Sequence, residues 1–253
     1  MSTVWRERAN PPEAAARQAR VDLAAAHRLA VMDDLHEGTW NHFSAKVPGD
    51  PERILLTPSN THWSQVTAGS LVELGPEDRD SLRRGGGMPW TAYRIHAPIH
   101  AARPDIACVL HAHPPYALAI SMLEGGRLEF AEQNALYFYG RIAYNDVYDG
   151  ESRLDASQGE AMAQALPPGV RVLVLKSHGV VVVGATIGAA YTDLYRLERA
   201  CRAQILAMST GRPLQRVSAD AAERIAALND ESKHEHFDAM KRLLDEREPD
   251  YAS

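Results

Sequence analysis

The stretch that most restricts what this chain can become is residues 105–121, Asp-Ile-Ala-Cys-Val-Leu-His-Ala-His-Pro-Pro-Tyr-Ala-Leu-Ala-Ile-Ser. Its run at 106–110 is short and apolar, with Arg103-Pro104-Asp105 before it and Pro114-Pro115 after it, so it reads as a buried strand. His111 and His113 stand at the end of that strand. Side chains two apart on a strand leave the same face, about 7 Å apart at the backbone, so the two imidazoles project together toward one cation.

Two histidines do not make a site, because a catalytic divalent metal takes three protein ligands and keeps positions open. Residues 171–175 (Arg-Val-Leu-Val-Leu) and 180–183 (four valines) read as two strands, and the turn between them sets His178 at a strand end too. A lone turn histidine is ordinarily solvated or bonded to backbone. Three at strand ends point instead to a shared triad, His111, His113 and His178, which suits zinc, manganese, iron or cobalt without choosing among them.

Length and charge bound the rest. At 253 residues and 45% hydrophobic the chain can bury one large core, and no internal repeat argues for two. A formal net charge of −6 without a basic patch argues against nucleic acid or an anionic membrane as partner. Cys108 falls in the apolar strand and Cys201 in a helix, as buried thiols of a reducing compartment do. The N-terminus has no signal-peptide core and no 18-residue apolar run occurs, so a cytoplasmic location is expected.

Several segments together resemble the class II aldolase/adducin family: Arg103-Pro104-Asp105, the His-Ala-His-Pro-Pro-Tyr-Ala run, Phe138 to Tyr144, the Ser-His-Gly turn, and Leu197-Glu-Arg-Ala-Cys. The likeness spans residues 14–211. It implies a three-layer α/β/α sandwich around a mainly antiparallel sheet, one divalent metal on the three histidines, and a homotetramer with sites at subunit contacts. On this reading, residues 1–10 are an arm, 11–215 the family domain, and 216–253 a helical extension packing on its own or a neighbouring subunit.

Helical spacing predicts a long first helix from Pro11 to near Glu37-Gly38, a helix carrying His96 and His100, one starting at Asp155, one from Thr186 or Ile187 to Thr210, and one charged helix over 219–246. Residues 137–144 look strand-like. Gly85-Gly86-Gly87 lacks the lysine-serine of a phosphate loop and reads as a flexible hairpin loop.

The resemblance places Asn41 in a substrate-holding segment with His42 beside it, and Ser59 and Asn60 where sugar-phosphate aldolases surround the phosphate, but with the glycine missing. It places Ala92 where those aldolases carry the proton-transferring glutamate, with Trp90 and Thr91 in place of paired serines. Candidates for the missing acid/base are His96 and His100, which share a helix face and have a near-neutral reference pKa, and Glu132, which falls where the aldolases carry an active-site tyrosine. Tyr116 and Tyr144 complete the polar set. His234 and His236 are expected to be mostly solvated.

The triad leaves room for a 2-oxo or hydroxy carboxylate to chelate the metal, which then stabilises the enolate formed when a carbon–carbon bond breaks. Decarboxylation needs no base to take a substrate hydroxyl proton, only an acid to protonate the carbanion. Loss of the glutamate therefore leans toward decarboxylation of a small hydroxy or oxo carboxylate, aromatic ones included. The alternatives are an aldolase on a non-phosphorylated substrate, a non-haem iron oxygenase on the same scaffold, and a non-catalytic adducin-like interaction domain.

Overall fold

The computed structural model describes residues 11–85, 88–148, 157–228 and 233–253. The expected arm at 1–10, the turn at 149–151, the Asp155 cap, and Gly86 and Gly87 of the hairpin loop lie outside them. Seven strands form one sheet: β1 (His42–Val47), β2 (Asp50–Leu56), β3 (Val72–Leu74), β4 (Cys108–Ala112), β5 (Ile142–Asn145), β6 (Val172–Leu175) and β7 (Gly179–Gly184). Their order is β3-β2-β1-β4-β7-β6-β5, and every pairing is antiparallel except β5 with β6.

Strand alternation sends side chains to two cores. One face carries Phe43, Leu55, Leu110, Val174 and Val182 under α1 (Pro11–Met32), α4 (Pro115–Ser121), α5 (Gln133–Leu136) and α7 (Ile187–Met208). The other carries Val109, Leu173, Val181 and Val183 under α3 (Met88–Ala102) and α6 (Ser157–Ala165), with the short α2 (Arg79–Gly85) against α3. This is the expected α/β/α sandwich.

Two boundaries differ from the expectation. α1 stops at Met32, because Asp34 takes the left-handed conformation (φ 56°) and Leu35 N–H returns 2.8 Å to the Ala30 carbonyl, a Schellman closure with aspartate in glycine's place. Residues 137–141 form turns off α5, so the strand expected over 137–144 begins at Ile142. Of the helix expected over 219–246, the described residues form α8 (Ala219–Leu228), which packs on α5, and α9 (Lys233–Arg247), which packs on α7 and α1; residues 229–232 lie outside the described ones.

The extension packs on its own chain. Phe237 lies against Gly188 and Tyr191 of α7, and Arg28 of α1 grips Glu248 (2.8 Å) and Asp250 (2.7 Å). His236 is half-buried with its ring 4.4 Å from that of Tyr195, not solvated as expected.

At the far end of the sheet from the histidines, the Arg-Pro-Asp motif is a clamp. Buried Arg103 binds both Asp105 oxygens at 2.7 Å and donates through Nη1 to the carbonyls of Leu166, Pro167 and Val170 at 3.0 Å, tying α3, β4 and the α6–β6 loop together. Only a planar guanidinium has donors enough in that arrangement.

Candidate metal centre

β4 ends where β1 and β7 begin, so one end of the sheet collects four histidines. The register pairs His42 with His111 and Ala112 with Val180. His178 tops the turn between β6 and β7, where Ser177 is left-handed (φ 52°) and its N–H is anchored 3.2 Å from the Ser121 carbonyl. Gly179 follows. A Cβ there would lie 2.5 Å from both the Ala112 carbonyl oxygen and His113 Cδ2, so only glycine lets β7 start close enough to bring His178 beside His113.

Ligand atoms of His111, His113 and His178 lie within 4.8 Å of one another, and no further histidine, cysteine or carboxylate among the described residues joins that cluster. His111 donates from Nδ1 to the Val180 carbonyl (3.1 Å), and His113 donates from Nδ1 to Glu37 Oε2 (2.6 Å). In the neutral form each ring therefore turns a bare Nε2 inward, and the two atoms face each other at 3.1 Å. Two opposed lone pairs at that distance repel unless a cation lies between them; a pair of metal–nitrogen bonds of about 2.0–2.1 Å spans it at an ordinary bond angle. Burial pushes His178 down to about 4 and His111 well below 6.5, which keeps both imidazoles neutral, as ligands must be. Three imidazoles gathered at one point thus fit a divalent cation with coordination positions to spare.

Beside the triad, the His42 ring lies 4.9 Å from that of His111. Asn41 is 4% exposed and left-handed (φ 72°), and its side-chain oxygen and nitrogen have no partner among the described residues. The Ser59 hydroxyl, in the turn that follows β2, is likewise buried and has no partner among the described residues. Asn60 adopts φ 54°, so asparagine supplies the backbone shape expected of the missing glycine.

The remaining candidates have other neighbours. Ala92 is fully buried in an apolar cluster with Ile54, Leu56, Leu74 and Tyr93. His96 and His100 contact no metal ligand by hydrogen bond; His96 meets His42 directly, and His100 meets His96 through Ser44. Glu132 caps α5, accepting from Ala135 N (2.7 Å) and Asn134 N (2.9 Å). Tyr116 gives its backbone N–H to buried Glu198, under the Arg202 guanidinium, and Tyr144 accepts from Leu128 N.

Two residues at the centre escape a reading of the sequence alone. Glu37 sits in a loop 76 positions from His113 and carries no local signal. Ser44 had one: it shares a strand face with His42, opposite a helix whose histidines are four apart.

Residues 21–205 match the family model described as the class II aldolase and adducin N-terminal domain. The crystal structure of an aldolase II superfamily protein from Pseudomonas syringae aligns with a TM-score of 0.83 at 31% identity, over 98% of this chain and 99% of that one. L-fuculose 1-phosphate aldolase from Glaciozyma antarctica PI12 shares the fold, with a TM-score of 0.79 at 22% identity over 96% and 95% of the two chains. Alpha-adducin of Rattus norvegicus is 33% identical over 194 residues, 76% of this chain but 26% of that protein. The chain belongs to the class II aldolase and adducin family, which generally comprises metal-dependent lyases while including the adducins. No helix among the described residues is long and apolar enough to cross a membrane.

Proposed function

We propose that this protein is a divalent-metal-dependent carbon–carbon lyase that decarboxylates a small hydroxy or oxo carboxylate, with His111, His113 and His178 as metal ligands. The observation that carries the reading is the pair of inward Nε2 atoms at 3.1 Å, each fixed by an outer hydrogen bond from its own Nδ1. A cation held there supplies positive charge against the negative charge that builds on a substrate oxygen as a carbon–carbon bond breaks.

The chain's own residues bind and orient. Asn41 and Ser59 offer buried polar atoms with no internal partner, as a substrate-holding wall does. Neither carries charge, and Asn60 stands for the glycine of a phosphate cradle, so an uncharged polar or aromatic substrate tail suits them better than a phosphate. Buried Ala92 can take no proton, which disfavours the aldol route that needs a base at that position and favours loss of carbon dioxide, where the carbanion left behind takes its proton from solvent. Glu132 has its oxygens committed to α5, so no proton transfer is assigned to it. His96 and His100 are held neutral by burial, His100 at about 3, and serve by positioning.

A homotetramer is part of the same reading. Trp40, Met122, Val147 and Tyr148 are 62–65% exposed on segments leaving the metal end of the sheet, where a neighbouring subunit would cover them. The likeness to alpha-adducin supports a second reading, an interaction domain without turnover.

The test is to load purified protein with zinc, manganese, iron or cobalt and assay hydroxy-aromatic carboxylates and 2-oxo acids for released carbon dioxide and aldehyde, with dioxygen monitored. Carbon dioxide without oxygen uptake supports the proposal. Aldehyde alone indicates an aldolase, oxygen uptake an oxygenase, and no turnover with any metal the adducin-like reading.

A further inference from the structure

Under the sheet, one polar chain runs from the metal end into α3. His42 Nδ1 meets His96 Nε2 at 2.8 Å, His96 Nδ1 meets Ser44 Oγ at 2.6 Å, and Ser44 Oγ meets His100 Nε2 at 2.8 Å. All four residues are buried, His96 and Ser44 completely. The sequence builds it simply: His42 and Ser44 alternate onto one face of β1, and His96 and His100 lie one turn apart on α3 above them.

A neutral imidazole has one donor nitrogen and one acceptor, and a serine hydroxyl has a single hydrogen. Each link therefore fixes the next, and the chain has two orderly states. In one, every ring carries its hydrogen on Nδ1 and the chain points from His42 to His100. In the other, every ring carries it on Nε2 and the chain points back, ending in an Nε2–H on His42.

The far end chooses. His100 Nδ1 is buried with no partner among the described residues. An orphaned N–H is less tolerable in a protein interior than an orphaned lone pair. Lys46, whose Nζ donates to the Arg103 carbonyl at 2.9 Å, adds positive charge near His100 and so keeps that ring from taking a second hydrogen. The hydrogen of His100 then lies on Nε2 and goes to Ser44, Ser44 gives its own to His96 Nδ1, and His96 Nε2 gives its own to His42.

We infer that Ser44 is a positioning residue, passing one direction of hydrogen bonding from His100 through His96 to His42, so that His42 presents a ligand with an uncharged Nε2–H donor. The functional part rests on the lyase reading: the ligand atom met by His42 is then an acceptor, a carboxylate or carbonyl oxygen, held without putting an imidazolium in the interior. No proton is transferred and no ring changes charge; the device is order.

The experiment is long-range ¹H–¹⁵N correlation on protein labelled with ¹⁵N-histidine, metal-free and zinc-loaded, which reads the tautomer of each ring. His27 is an internal standard, because its Nδ1 faces the Leu23 carbonyl at 2.7 Å and must carry hydrogen. The expected result is Nε2–H on His42, His96 and His100, against Nδ1–H on His27 and His111. Nδ1–H on His42, or mixed tautomers along the chain, overturns the inference. In Ser44→Ala, His96 and His100 lose their single tautomers while zinc content stays at the wild-type level, and Ser44→Thr restores them; unchanged tautomers in Ser44→Ala also overturn it. Because the spectra need no turnover, an ordered chain in a protein without lyase activity would sink the functional reading alone.

Discussion

Acid should unfold this protein through histidines that the fold keeps neutral. His27 lies wholly inside, bonded to the Leu23 carbonyl and Thr57, and burial pushes it down to about 4 against the hydrogen bond to Leu23. His100 is pushed down to about 3, by burial first and by Lys46 second. Both fall below the unfolded value of 6.5, so their contribution to stability is whole above pH 6.5 and is lost as the pH drops toward 4. At about 1.4 kcal/mol for each pH step below 6.5, each ring costs ~2 kcal/mol at pH 5, or ~4 kcal/mol for the two. That is a large share of the roughly 5–15 kcal/mol that holds an ordinary domain. Urea unfolding followed by circular dichroism at pH 7, 6 and 5 measures the loss. His100→Gln, which cannot take up the proton, should cut the pH 7-to-5 loss by ~2 kcal/mol whatever it does to stability at pH 7. Stability constant to within ~1 kcal/mol between pH 7 and 5, or an equal loss in the variant, would refute the reasoning.

Three substitutions probe other parts of the account. Glu37→Gln keeps the loop but weakens the acceptor behind His113, and metal affinity measured against a competing chelator should fall about 10–100-fold; unchanged affinity would remove Glu37 from the centre. Arg103→Lys cannot serve two aspartate oxygens and three carbonyls at once, so chemical unfolding should show a loss of about 2–4 kcal/mol, and a loss under ~1 kcal/mol would show the clamp to be idle. Gly179→Ala drives a methyl against the Ala112 carbonyl and His113, so folded variant should bind metal more weakly than wild type; equal binding would mean the β7 start can move without cost to the site.

Much of this was legible in the residues because it depends on short-range periodicity. The two-residue step along β4 and just past its end put His111 and His113 together, and the strand-turn-strand pattern put His178 at a strand end. The strand itself lies two positions later than its apolar run suggests, at Cys108–Ala112, because pairing with β1 and β7 carries it through His111. What stayed hidden depends on contacts between distant segments. Glu37 reaches His113 only after α1 turns back at Asp34, a stop that no glycine announces. Periodicity also could not show that α8 and α9 have different packing partners, or that His96 and His100 meet a serine instead of a substrate.

The most direct test of the metal centre is elemental analysis of purified wild type and His113→Ala, each reconstituted and desalted. The account predicts about one divalent ion per chain in wild type and almost none in the variant, with both folded by circular dichroism. A full complement of metal in His113→Ala, or none in reconstituted wild type, would contradict it.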